Sequence, residues 1–253
     1  MTGRPVTLIT GASAGLGAEF ARQCSRRGEA LVLLARRRDR LEALQAEIGG
    51  EVHVFAADLG LPGAPADLVA QMRGQGLEIA TLINNAGFGL AGRFEAQAAE
   101  RQTEMIDLNV RALTELTRAV LPAMLECRRG AILNVASTAA FQPGPNMAVY
   151  YATKAFVLSL TEALHQEVRG KGIKVSALCP GPVDTEFFDV AGVRGMLRKF
   201  AADAPGVVRA GLRGLDRNKA VVIPGASNKA LAQGHRFIPR ALMRRVMARI
   251  KVE

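Results

Sequence analysis

The chain of 253 residues has no tryptophan, only two tyrosines and only three cysteines. Aromatic side chains make up 5% of it, too few for a base-stacking platform, and no nucleic-acid module signature appears. Cys24, Cys127 and Cys179 are odd in number and widely scattered. They argue against a disulfide frame and against a metal site, and for reduced thiols in the cytoplasm. No apolar run reaches the length of a membrane span. Met1-Thr2-Gly3-Arg4-Pro5 leads straight into an apolar strand pattern, so no signal peptide is expected.

Hydrophobic residues are plentiful at 49%, enough for a full core and against disorder. The formal net charge is +10, which raises the question of nucleic acid. Its distribution answers otherwise. Residues 36–40 carry four Arg and one Asp, and residues 236–253 carry five Arg, one Lys and one Glu. Most of the excess therefore lies in two short patches.

Read in order, apolar β-branched runs alternate with helical stretches. Val6–Ile9 ends at Thr10-Gly11-Ala12-Ser13-Ala14-Gly15-Leu16-Gly17, and a helical stretch follows. Strand, glycine turn and helix N-terminus together make a phosphate-binding context: backbone N–H groups point outward and glycine lets them approach the ligand. The next strand, Ala30–Ala35, runs into Arg36-Arg37-Arg38 where an NAD site would place an acidic residue for the ribose 2′-hydroxyl. Arginine there suits a 2′-phosphate and favours NADP(H). Arg38 and Arg40 read as the solvated start of a helix over 39–48. Further strands are expected at 52–56, 80–83, 131–135 and 173–178, with helices near 66–73, 98–127 and 149–169. Pro122 is expected to kink or interrupt the second of these helices. His53 reads as a strand surface residue. Asp58 could accept a bond from an adenine amino group, or cap a helix. This alternation predicts an α/β fold, a doubly wound Rossmann-type parallel sheet with helices on both faces. The glycine turn, Asp58, Asn84-Asn85-Ala86-Gly87, Ser137 and Pro180-Gly181 then follow strand ends and converge on one rim.

The two tyrosines are adjacent, at 150 and 151, on the helix over 149–169. Lys154 lies four residues beyond the first and three beyond the second, and either spacing puts a phenol beside an ammonium. A fixed positive charge would pull a tyrosine pKa down from about 10. A phenol so tuned can exchange a proton with a carbonyl or alcohol oxygen.

In this order, Thr10–Gly17, Asp58-Leu59, Asn84–Gly87, Asn109, Ser137, Tyr150–Lys154 and Pro180–Thr185 resemble the classical short-chain dehydrogenase/reductase family over about residues 5–225. The resemblance implies about seven strands, with 221–223 as the last, and a catalytic group of Asn109, Ser137, Tyr150 and Lys154. Ser137 would stabilise the substrate oxygen and Tyr150 would protonate it. Lys154 would tune Tyr150 and hold the nicotinamide ribose, and Asn109 would hold a water linking Lys154 to solvent. The implied NADP(H) contacts begin at Gly11, Ser13, Gly15, Leu16 and Gly17, with Arg36 and Arg37 for the phosphate. Asp58, Leu59, Asn85, Ala86 and Gly87 follow, then Tyr150 and Lys154, then Pro180, Gly181, Val183 and Thr185. No metal is implied. Ala14 departs from the basic residue that NADP-preferring relatives often carry in the turn, so the cofactor choice rests on the arginines.

One domain over 1–253 is expected, with a dinucleotide-binding half at 5–90, a substrate lid at 185–205 and a basic helical extension at 226–253. Phe187, Phe188, Val193, Met196, Leu197 and Phe200 in the lid favour a hydrophobic ketone, aldehyde or 3-oxoacyl substrate. Pairing of the helices near 98–127 and 149–169 into a homodimer or homotetramer is implied by the resemblance. The tail over 236–251 reads as a basic amphipathic helix, docked on its own domain or a neighbour, or else resting on an anionic membrane surface. A silent nucleotide-sensing regulator and a nucleic-acid-binding protein are the competing functions.

Overall fold

The computed structural model describes residues 3–192, 201–234 and 237–249. Seven parallel strands form one sheet in the order β3-β2-β1-β4-β5-β6-β7. They are β1 (Arg4–Thr10), β2 (Leu31–Ala35), β3 (Val52–Ala56), β4 (Leu77–Asn84), β5 (Gly130–Val135), β6 (Ile173–Leu178) and β7 (Val221–Val222). The order reverses direction between β1 and β4, the crevice where such sheets take ligands.

Both faces are covered, which is why the central strands read as nearly unbroken apolar runs. On one face Leu8, Val32 and Leu82 pack with α3 (Ala64–Gly74) and α5 (Leu113–Glu126). On the other, Ile9, Leu33 and Ile83 pack with α1 (Gly15–Ser25), α2 (Arg38–Ile48) and α8 (Ala204–Asp216). The remaining helices are α4 (Ala99–Ile106), α6 (Ala148–Glu167), α7 (Phe187–Ala191), α9 (Ala226–Gly234) and α10 (Arg240–Met247).

The stretch expected as one helix over 98–127 is instead α4 and α5 joined by a π-helical segment, Asp107–Ala112. Nor does Pro122 end it, for α5 runs through to Glu126. Leu116, Val120 and Met124 are buried astride the proline. Arg118 and Pro122 are both exposed, so the carbonyl that loses its amide partner lies on the solvent side. His53 is half-buried on β3 and pairs with Glu51 at 3.2 Å.

After β7 the chain returns over the sheet's carboxyl ends as α9 and α10. The latter starts after Pro239 and buries Met243 and Met247, leaving Leu242 and Val246 about half exposed. Arg236, Ile250 and Lys251 of the expected tail, and Val193, Met196, Leu197 and Phe200 of the expected lid, lie outside the described residues. No helix among the described residues is long and apolar enough to cross a membrane.

Candidate active site

A cleft of about 1020 Å³ opens along the carboxyl ends of the strands. Its floor at the β1/β4 switch is a tight weave of backbone. Gly11 sits at φ +66°, and a Cβ on Gly17 would lie 2.1 Å from the Gly11 carbonyl oxygen, so no larger residue fits there. Thr10 Oγ1 accepts from the N–H groups of Asn85 (3.0 Å) and Ala86 (2.9 Å), and Asn85 Nδ2 donates to the Thr10 carbonyl at 2.9 Å. Ala14, at the N-cap of α1, makes no side-chain cap hydrogen bond. The N-terminus of α1 therefore faces the cleft through Gly15 and Leu16, an anion-binding arrangement that fits a pyrophosphate.

The basic end is built by β2 and α2. Arg36 is about 70% exposed, its Nη1 3.7 Å from Asp58 Oδ2. Arg37 Nη2 donates to Ser13 Oγ at 3.2 Å and to Glu186 Oε2 at 3.0 Å. Arg38 pairs with Glu42 along α2, whereas Arg40 reaches Glu186 across the cleft mouth. Asp58 caps no helix. Its Oδ1 accepts from the Gly60 N–H at 2.9 Å in a local turn. Arg36, Arg37 and Ser13 thus present a cluster of donors that suits a phosphorylated ribose.

At the other end, Ser137 follows β5 and Tyr150 and Lys154 come from α6. Ser137 Oγ accepts from Ala139 N–H at 3.1 Å and donates to the Pro180 carbonyl at 3.4 Å, beside the Tyr150 side chain. Lys154 is buried and donates to the Val135 carbonyl at 2.8 Å, with its Nζ 5.8 Å from the Tyr150 ring centroid. Asn109, only 1% exposed on the π-helical segment, spends its side chain on the loop after β4. It accepts from Phe88 N–H at 3.1 Å and donates to Phe88 O at 2.9 Å and Thr153 Oγ1 at 3.1 Å.

The electrostatics differ from the sequence expectation. Burial pushes the Tyr150 phenol up, not down, and the neighbouring Ser137 side chain only partly offsets that. Burial also pushes Lys154 down to about 8. Both groups sit where the protein's own surroundings favour neutral forms, and an ammonium 5.8 Å from the ring does not overcome that.

The Lys154 shift has a measurable consequence. The group is depressed in the folded chain relative to 10.5, so the unfolded chain binds the extra proton between pH 8 and 10.5. Stability should therefore rise across that window by about 3 kcal/mol in the wild type relative to Lys154→Met. Urea unfolding of both proteins from pH 7 to 11 measures this, and a constant difference would mean that Lys154 titrates normally.

Of the predicted residues, Gly11, Ser13, Gly15, Leu16, Arg36, Arg37, Asp58 and Leu59 line the cleft. So do Asn85, Ala86, Gly87, Ser137, Tyr150, Lys154, Pro180, Gly181, Val183 and Thr185. Gly17 and Asn109 are not among the lining residues, and both act behind the surface. The sequence reading missed other liners. Phe88 and Arg101 lie at the Tyr150 end, with the Arg101 guanidinium 4.7 Å from the Phe88 ring centroid. Asn228 and Met247 come from the C-terminal helices, and Asn228 packs so close to Gly181 that a Cβ there would be 2.6 Å away. No motif marks these residues. They arrive through tertiary packing alone.

The model of the short chain dehydrogenase family matches residues 5–192. The chain belongs to this family. It is therefore an oxidoreductase acting between CH–OH and C=O groups. It is 38% identical over 188 residues to the NADP-dependent 3-hydroxy acid dehydrogenase YdfG of Salmonella typhi, covering 73% of this chain and 75% of the relative. It is 40% identical over 184 residues to the sulfoacetaldehyde reductase of Chromohalobacter salexigens, covering 71% and 72%. Among solved structures, a short-chain dehydrogenase from Sphingobium yanoikuyae in complex with NADPH superposes with a TM-score of 0.83 at 37% identity, over 98% of this chain and 97% of that one.

Proposed function

We propose that this short-chain dehydrogenase uses NADPH to reduce an apolar ketone, aldehyde or 3-oxoacyl compound. The observation that carries the reading is one cleft with arginines at one end and, at the other, a half-buried Ser137 beside a buried Tyr150 under apolar side chains. NADP(H) is the coenzyme. Its 2′-phosphate would be held by Arg36, Arg37 and Ser13, its pyrophosphate by the turn at 11–16, and its nicotinamide ribose by Lys154. When bound, NADPH supplies the hydride.

Ser137 donates a hydrogen bond to the substrate carbonyl oxygen and stabilises the charge that develops there. Tyr150, kept as a phenol by burial, donates its proton to that oxygen, the protonation state that reduction requires. Asn109 anchors the loop at 85–88 against α6 and positions Lys154. The lost proton is replaced by way of Lys154 and a water beside Asn109. The Phe187 ring, 5.4 Å from that of Tyr150, and Phe188, buried with Met105 and Met147, shape the apolar end.

Arg101, ion-paired with Glu104, lies at that end. It suits an apolar carbonyl compound that also bears an acid group, in keeping with relatives named for a 3-hydroxy acid and for sulfoacetaldehyde. NADPH oxidation across a panel of ketones, 3-oxo acids, their neutral esters, sugars and polyols tests the proposal. The 3-oxo acids should lead. Arg101→Ala should lower kcat/KM for the acid by roughly tenfold to a hundredfold and leave the ester nearly unchanged. Preference for sugars or polyols would overturn the substrate class, and an unchanged acid-to-ester ratio would remove Arg101 from recognition.

A further inference from the structure

Glu186 joins the two ends of the cleft. It follows Thr185, whose side chain would touch a Cβ on Gly15 at 3.1 Å, and it precedes Phe187, which packs on Tyr150. Its carboxylate does not point into solvent alone. Oε2 accepts from Arg37 Nη2 at 3.0 Å, and Oε1 accepts from Arg40 Nη1. Two arginines from the β2–α2 corner therefore grip the segment that begins α7. Arg37 divides its donors between this carboxylate and Ser13 Oγ, at 3.2 Å. Those are the donors that the phosphate of NADPH would claim.

We propose that Glu186 is a specificity-determining residue: a built-in counter-ion that the 2′-phosphate must displace from Arg37. The inference rests on the NADP(H) reading above. A carboxylate and a phosphate cannot share one guanidinium fork without repelling each other, and a guanidinium with two anions binds each more weakly than it would alone. Glu186 therefore keeps the arginine corner ordered but lowers the affinity for NADPH. It leaves NADH, which has no charge at that position, almost untouched. Displacement would leave Glu186 on Arg40 alone. The start of α7, with Phe187 over Tyr150, is thereby coupled to the presence of the phosphate. Thr185 Oγ1 accepts from the Phe187 N–H at 3.3 Å, so little slack separates the two ends of that coupling.

The test is equilibrium titration of NADPH and NADH, followed by cofactor fluorescence, against wild type, Glu186→Gln, Glu186→Asp and Arg37→Ala with and without Glu186→Gln. Glu186→Gln should bind NADPH roughly three- to tenfold tighter, with NADH within about twofold of wild type. The gain should shrink at 0.5 M salt, as a charge effect must, and Glu186→Asp should restore wild-type behaviour in part. With Arg37→Ala present, Glu186→Gln should add nothing. A Glu186→Gln protein that binds NADPH more weakly, or shifts both cofactors equally, would overturn the proposal and make Glu186 a purely structural tie. A wild type that does not distinguish NADPH from NADH would instead overturn the cofactor reading on which it rests.

Discussion

Replacing Tyr150 by Phe is expected to lower turnover by about 10²–10⁴, the usual contribution of a positioned general acid. The substitution keeps the ring that contacts Phe187 and Tyr151, at centroid distances of 5.4 and 6.1 Å, and deletes only the hydroxyl beside Ser137. Packing should survive, and NADPH affinity should persist because Lys154 is untouched. Tyr151→Phe should stay within roughly tenfold of wild type. The Tyr151 ring packs against Gly144, where an added Cβ would sit 2.2 Å from its nearest ring carbons. Steady-state kinetics on both variants decide the register. An inactive Tyr151→Phe beside an active Tyr150→Phe would reverse the assignment, and two active variants would remove the proton donor from this helix.

Arg36→Ala combined with Arg37→Ala should weaken NADPH binding by roughly a hundredfold while NADH changes little, since each lost charge-assisted contact to phosphate is worth about 1.5–3 kcal/mol. The prediction is asymmetric for a structural reason. Arg36 is largely solvated beside Asp58 and holds nothing else in place, whereas Arg37 also ties Ser13 to Glu186. Equal losses for both cofactors would show that the pair only shapes the corner. Fluorescence titration on the single and double variants separates the two arginines.

The strands at 52–56 and 173–178 were legible to the residue because each is a short apolar run bounded by glycine or a charged turn. The rim was legible for the same reason: the glycine turn, Asp58, Asn85, Ser137 and Pro180 each follow a strand end, and only Tyr150 and Lys154 come from a helix. The π-helical segment at 107–112 was not, because nothing in Asp107-Leu108-Asn109-Val110-Arg111-Ala112 breaks a helix by composition. It forms where the Asn109 amide is drawn to the Phe88 backbone. Pro122 does not interrupt α5, because burial on the opposite face of the helix outweighs one missing hydrogen bond on the solvent side. The direction of the Tyr150 shift failed because spacing along a helix gives the neighbour but not the burial, and burial dominates here. Arg101, Asn228 and Met247 belong to no motif, and only the folded chain brings them to the cleft.

One rung of the sheet lies behind all of this. Asn84 on β4 is in register with Asn134 on β5, and both are fully buried. Asn84 Nδ2 donates to Asn134 Oδ1 at 2.9 Å and to Thr117 of α5 at 3.1 Å, while Asn134 Nδ2 donates to Thr161 of α6 at 3.0 Å. The two neighbouring rungs, Leu82 with Ile132 and Ile83 with Leu133, are apolar and would tolerate a slide of two places almost as well. Here a slide would strand both asparagine amides in the core, at about 1–3 kcal/mol for each unsatisfied group. The asparagine rung is thus an alignment key. It admits a single pairing of the two central strands, and with it a single relative height for Asn85 and Ser137, which follow those strands into the lining of the cleft.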